Sequence, residues 1–78
     1  MNYQEKYRQL SELFDTQQAM ANALGCSQPL VWKLINGKVY MSAHIAIRAE
    51  YVTNGKFKAV DLCPRLAEIE KMKAPSGN

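Results

Sequence analysis

The stretch Thr16-Gln17-Gln18-Ala19-Met20-Ala21-Asn22-Ala23-Leu24-Gly25-Cys26-Ser27-Gln28-Pro29-Leu30-Val31-Trp32-Lys33-Leu34-Ile35-Asn36-Gly37 carries the reading of this chain. Its first half, Gln17 to Leu24, sets apolar Ala19, Met20, Ala23 and Leu24 at helical spacing, with Gln18 and Asn22 on the other side. Ala21 is small where a second helix must cross closely. Gly25 follows at once, suited to the left-handed backbone that ends a helix without a Cβ penalty. Ser27 is a good N-cap for a second helix, and Pro29 falls in that helix's first turn, where a missing N–H costs little.

The second half, Gln28 to Asn36, divides by face. Leu30, Val31, Leu34 and Ile35 form one apolar stripe and leave Gln28, Pro29, Trp32, Lys33 and Asn36 opposite. At the helical period Trp32 lies about 130° from the centre of that stripe. Gly37 stops the helix. Two short helices around a Gly-containing turn make a helix-turn-helix motif over 16–37, whose second helix can enter the major groove of duplex DNA. A large aromatic outside the core stripe, beside a Lys and two amides, suits a groove-reading surface. The same local pattern also occurs in helical proteins that never touch DNA, so the rest of the chain has to weigh in.

Seventy-eight residues make one domain, expected over 1–73 with a frayed, flexible tail at 74–78. Hydrophobic residues at 47% against charged ones at 22% indicate a globular chain, not a disordered one. No apolar run approaches the roughly 20 residues needed to span a bilayer. Met1-Asn2-Tyr3-Gln4-Glu5-Lys6 lacks the charged-then-apolar design of a signal peptide, so the expected compartment is the cytoplasm. The net charge is +3, and its placement is informative: Ser27 to Val60 holds Lys33, Lys38, Arg48, Lys56 and Lys58 against Glu50 alone. Basic residues that neutralise phosphates supply most non-specific DNA affinity.

Cys26 and Cys63 are isolated thiols without CxxC spacing, and His44 is the only histidine. A four-ligand zinc site cannot be assembled from that inventory, so no metal is expected. Cys26 occupies a turn position that favours a buried free thiol. No catalytic Ser/His/Asp pairing, paired carboxylates or Gly-rich phosphate loop stands out. The reading is therefore of a protein that is not an enzyme and takes no cofactor.

Tyr3, Tyr7, Leu10 and Phe14, with Leu13 beside them, predict a first helix over about Gln4 to Phe14. Asp15 and Thr16 compete to cap the next helix. After Gly37 the connector Lys38-Val39-Tyr40-Met41 leads to Ser42, a cap for a helix over Ala43 to Val52. That helix carries Ile45, Ala49 and Val52 inward, with Ile47 and Tyr51 near the same side. Thr53-Asn54-Gly55 is a stop signal. Lys56 to Val60 alternates and reads as a short strand or an extended segment. Pro64 opens a last helix over Arg65 to Lys73, with Leu66, Ile69 and Met72 at three-residue steps. The expected fold is a small all-α, five-helix domain, with C-terminal strand pairing left open.

The pattern resembles phage Cro-type repressors and the related YdaS-like family of small helix-turn-helix regulators. The matching residues are Thr16-Gln17, Ala23 to Gly25, Ser27-Gln28 followed by Val31, and Asn36-Gly37. Ile47, Glu50, residues 53 to 55, and Leu62 and Pro64 agree as well. The similarity covers about Leu10 to Arg65. Departures stand at Ser42, where relatives often carry a nearby Pro, and at Leu-Cys-Pro-Arg, where they have Leu-Arg-Pro-Asp. Relatives also commonly place a small or polar residue at Trp32 and an aromatic at Leu34. These departures bear on operator sequence and C-terminal conformation. The resemblance implies a lambda-repressor-like helix-turn-helix fold and a phage or prophage repressor that binds double-stranded operator DNA in the cytoplasm or nucleoid of a bacterial host.

On this reading the helix from Gln28 presents its N-terminal residues to base edges. Gln28 pairs with adenine, Lys33 donates to guanine, and Pro29 and Trp32 supply apolar contact. Gln17, Ser27, Asn36, Lys38, Tyr40 and Ser42 are the phosphate contacts, with His44 either joining them or serving structure alone. The resemblance adds that Gln17 braces Gln28. One such motif covers only a few base pairs, so a homodimer on a two-fold operator is expected, completed on DNA. Leu62, Leu66, Ile69 and Met72 are the candidate dimer contact, or else pack on their own core. The rival reading is an antitoxin-like or adaptor module that turns the same helical surface toward a protein.

Overall fold

The computed structural model describes residues 2–73, and the expected tail at 74–78 lies outside them. Six helices follow one another: α1 (Tyr3–Ser11), α2 (Gln17–Leu24), α3 (Gln28–Ile35), α4 (Ala43–Val52), α5 (Ala59–Leu62) and α6 (Pro64–Lys73). There is no strand among the described residues. α2 packs on α3 and on α4, α1 lies against α3 and α5, and α5 bridges α4 to α6.

Short polar side chains start these helices as the sequence suggests. The Thr16 hydroxyl accepts from the Ala19 N–H at 3.0 Å, which settles the contest with Asp15. Ser27 caps α3 and Ser42 caps α4 in the same way, through Leu30 and Ile45. α2 ends on Gly25 at φ +72°, in a left-handed turn in which the Cys26 N–H reaches back to the Ala21 carbonyl at 2.9 Å. α3 ends alike: Gly37 has φ +73°, and the Lys38 N–H bonds the Lys33 carbonyl at 2.8 Å.

The core comprises Tyr7, Leu10, Met20, Leu24, Val31, Leu34, Met41, Ile45 and Leu62, closed by small Ala21, Ala46 and Ala49 at the helix crossings. No buried side-chain nitrogen or oxygen lacks a partner among the described residues. The only ion pair there, Glu70–Lys73 at 3.9 Å, is exposed and worth little. Packing holds the fold.

Four expectations need correction. α1 stops at Ser11, not Phe14, because the Leu13 and Phe14 N–H groups take tight three-residue bonds to Leu10 and Ser11. That turn leaves Leu13 exposed and lays Phe14 against the core. Of the segment Lys56 to Val60, read as strand or extended, Lys56 to Lys58 stay outside any helix and Lys58 is extended, but Ala59 and Val60 open one helical turn, α5, which brings the count among the described residues to six. Ala59 and Leu62 are buried from it, and the Glu50 carboxylate accepts from the Ala59 N–H at 2.8 Å. A strand would need a neighbour with free backbone groups; a helical turn satisfies its own. On α4 the side chains of Ile47 and Tyr51 face outward instead of coreward. Cys26 is half-buried, not buried, and burial pushes its thiol pKa up. Cys63 is the fully enclosed thiol.

Candidate nucleic-acid interface

Along α3 the two faces separate as the periodicity predicts. Val31 and Leu34 are fully buried, and Leu30 and Ile35 pack at the edge of the core. Pro29, Trp32, Lys33 and Asn36 are exposed and Gln28 is half-exposed. Trp32 keeps 45% of its surface open to solvent, so the indole is not a core residue of this protomer. The indole therefore stands on the outer face of α3, beside Lys33 and the amides of Gln28 and Asn36, where a ligand can reach it.

Gln28 is held in place by a donor bond from its Nε2 to Gln17 Oε1. The brace that the resemblance implied is thus present in the geometry. It uses one N–H of Gln28 and leaves the second N–H and the carbonyl oxygen, the pair an adenine edge requires. It also leaves the Gln17 amide nitrogen unspent, at the first residue of α2, where unpaired backbone N–H groups and the helix dipole favour an anion.

The remaining phosphate candidates fall around α3. The Ser27 and Ser42 oxygens accept cap bonds, and their hydroxyl protons remain to be donated. Asn36 donates one N–H to the Trp32 carbonyl at 2.9 Å, finishing the helix, and keeps the other. Lys38 and Tyr40 are exposed on the loop between α3 and α4, with Tyr40 standing edge-on to Tyr3 at 5.7 Å between ring centroids. His44 is exposed on the first turn of α4. Lys33, Lys38, Arg48, Lys56 and Lys58 form no ion pair among the described residues, so their charge is not cancelled locally.

Of the candidate dimer residues, Leu62 is corrected. It is wholly enclosed in the protomer's own core and offers no surface to a second chain. Leu66 is half-buried, while Ile69 and Met72 are exposed. Leu66 and Ile69 line a shallow groove between α4, α5 and α6 together with the outward Ile47. Ile47 belongs to this surface and Tyr51 is exposed one turn further on, and periodicity on a ten-residue helix with apolar residues on three sides could not sort them. Arg48 was missed too: its Nε donates to the Ala23 carbonyl at 2.9 Å and pins α4 to the end of α2. No local pattern marks such a tie.

A small helical domain with two capped helices joined by a tight glycine turn and a polar, aromatic-bearing outer helix face defines the helix-turn-helix class of regulatory proteins. Within that class, the chain is 45% identical over 58 residues to the regulatory protein Cro of Pseudomonas phage D3, a match spanning 74% of this chain and 80% of that one. The chain belongs to the Cro family of phage regulatory proteins. No family profile and no solved structure matches it significantly. Among the described residues no group of three or more metal-ligating side chains comes together, and no helix is long and apolar enough to cross a membrane.

Proposed function

We propose that this chain is a sequence-specific, duplex-DNA-binding transcriptional repressor of a phage or prophage, acting as a homodimer on a two-fold operator. The observation that carries the reading is the outward row Gln28, Pro29, Trp32, Lys33, exposed along a helix whose opposite side is sealed in the core. Gln28 and Lys33 read base edges, Trp32 and Pro29 meet thymine methyl groups, and each bidentate contact supplies about 1–3 kcal/mol of discrimination. Gln17, Ser27, Asn36, Lys38, Tyr40 and Ser42 grip phosphates and set register without reading sequence. The curated Cro relative supports regulation as the role, and the uncancelled basic residues from Lys33 to Lys58 support a polyanionic partner.

The apolar strip of Ile47, Leu66, Ile69 and Met72 is the proposed contact between the two copies. Two half-sites then lie about 34 Å apart, one turn of the duplex. Repeated selection of bound sequences from a random DNA pool tests the whole reading. A two-fold consensus with that spacing is expected. A pool that never enriches at low salt, with a protein that captures only proteins, would move the chain to the adaptor class.

A further inference from the structure

The loop from Asn36 to Ser42 joins α3 to α4 and carries four of the proposed phosphate contacts. Met41 is buried and Val39 packs at the core edge, which anchors the loop's later half. A shallow groove of about 330 Å³ opens between α1 and the stretch from Gly37 to Tyr40, and Tyr40 is 69% exposed, so packing on the core does little for Lys38 and Tyr40. What spans that groove is one stripe of α1. Gln4 Nε2 donates to the Ile35 carbonyl at 3.1 Å, on the last turn of α3. The same amide lies flat against Gly37: a Cβ built there would meet Gln4 Cδ and Oε1 at 3.1 Å. One residue earlier, the Tyr3 ring meets Tyr40 edge-on, and one turn later the Tyr7 hydroxyl accepts from the Met41 N–H at 2.8 Å.

We infer that this stripe of α1 is a splint for the phosphate-gripping loop, and that Gln4 is its positioning residue. The inference rests on the DNA-binding reading above and deepens it, since the neutral Gln4 is not itself among the proposed DNA contacts and acts on them through the backbone it holds. Tyr7 is a core residue whose loss disturbs the whole domain, whereas Gln4 is half-exposed and ties only the end of α3. Without the Gln4 amide, the left-handed turn at Gly37 loses its lateral support. Lys38 and Tyr40 must then be ordered as phosphates arrive, and that ordering is subtracted from affinity. Because no charge is removed, the number of counterions released stays the same.

The test compares Gln4→Met, which keeps bulk without the donor, and Gln4→Ala with Lys38→Ala and the unaltered chain. Binding is titrated against salt on a selected operator duplex and a scrambled duplex, and amide exchange is followed in the free proteins. Both Gln4 variants should bind both duplexes about three- to tenfold more weakly, the net worth of one hydrogen bond, with the salt slope unchanged. Lys38→Ala should lower the slope by about one. Exchange should quicken at Gly37 and Lys38 while Val31 and Leu34 keep their protection, which a general loss of stability would not do. Gln4 variants that bind like the unaltered chain, or that lose protection evenly through the core, overturn the splint. An unaltered chain with no affinity for any duplex overturns the DNA reading itself, and the splint with it.

Discussion

The hydroxyl of Tyr7 sits between two backbone segments far apart in sequence, donating to the Leu62 carbonyl at 2.7 Å and accepting from the Met41 N–H. Tyr7→Phe leaves both groups buried and unpaired, and should cost about 1–3 kcal/mol in urea unfolding. Burial, the dominant cause, raises the Tyr7 pKa above its ordinary value of 10.0. The unfolded chain therefore loses this proton first as pH rises, and stability falls above about pH 10. The phenol's contribution is intact below that point and disappears as pH passes the folded-state value. A steeper loss of urea midpoint between about pH 9 and about pH 11 is expected in the unaltered chain than in Tyr7→Phe. At the same scale, Gln28→Ala should relax preference at one base by about 1–3 kcal/mol. Lys38→Ala should weaken binding to all duplexes alike, and competition titrations with single-base variants separate the two.

Helices of eight to ten residues are marginal alone in water, so their ends matter as much as their faces. Most of these ends were legible: Thr16, Ser27 and Ser42 start helices, and Gly25, Gly37 and Asn54-Gly55 stop them with positive φ. α5 was not legible, because its cap lies on another element. Lys58 contributes no side-chain cap bond, and Glu50 supplies the acceptor from α4. Glu50→Ala should cost about 0.5–2 kcal/mol and speed amide exchange at Cys63, whose N–H bonds the Ala59 carbonyl, more than at Val31. Glu50→Gln, which keeps an acceptor, should recover part of that protection. Equal exchange at both sites in Glu50→Ala would remove Glu50 as the cap.

A chain of this size hides only about 60% of its unfolded surface, so an uncovered helix is costly to the whole. α6 buries no residue fully, and Ile69 and Met72 stay exposed. Ile69→Lys should lower affinity for a duplex with two half-sites by about tenfold, or about 1.4 kcal/mol, and leave a single half-site untouched. Sedimentation on the two kinds of duplex measures this. Equal affinities of Ile69→Lys and the unaltered chain on the paired site would show that α6 does not join two copies.

What the sequence determined by itself is whatever depends on neighbours within one or two turns. The α3 faces, the serine and threonine caps and the left-handed glycine stops all follow from side-chain chemistry and a period of 3.6 residues. The row Gln28, Pro29, Trp32, Lys33 is legible for that reason. Tertiary structure alone decided which apolar residues were surplus to the core: it enclosed Leu62, turned Ile47 outward and left Leu13 exposed. It also chose the partners of Tyr7, Gln4 and Glu50, each of which bonds backbone on a different element. A hydrogen bond across elements depends on where two helices cross, and no local spacing encodes that crossing.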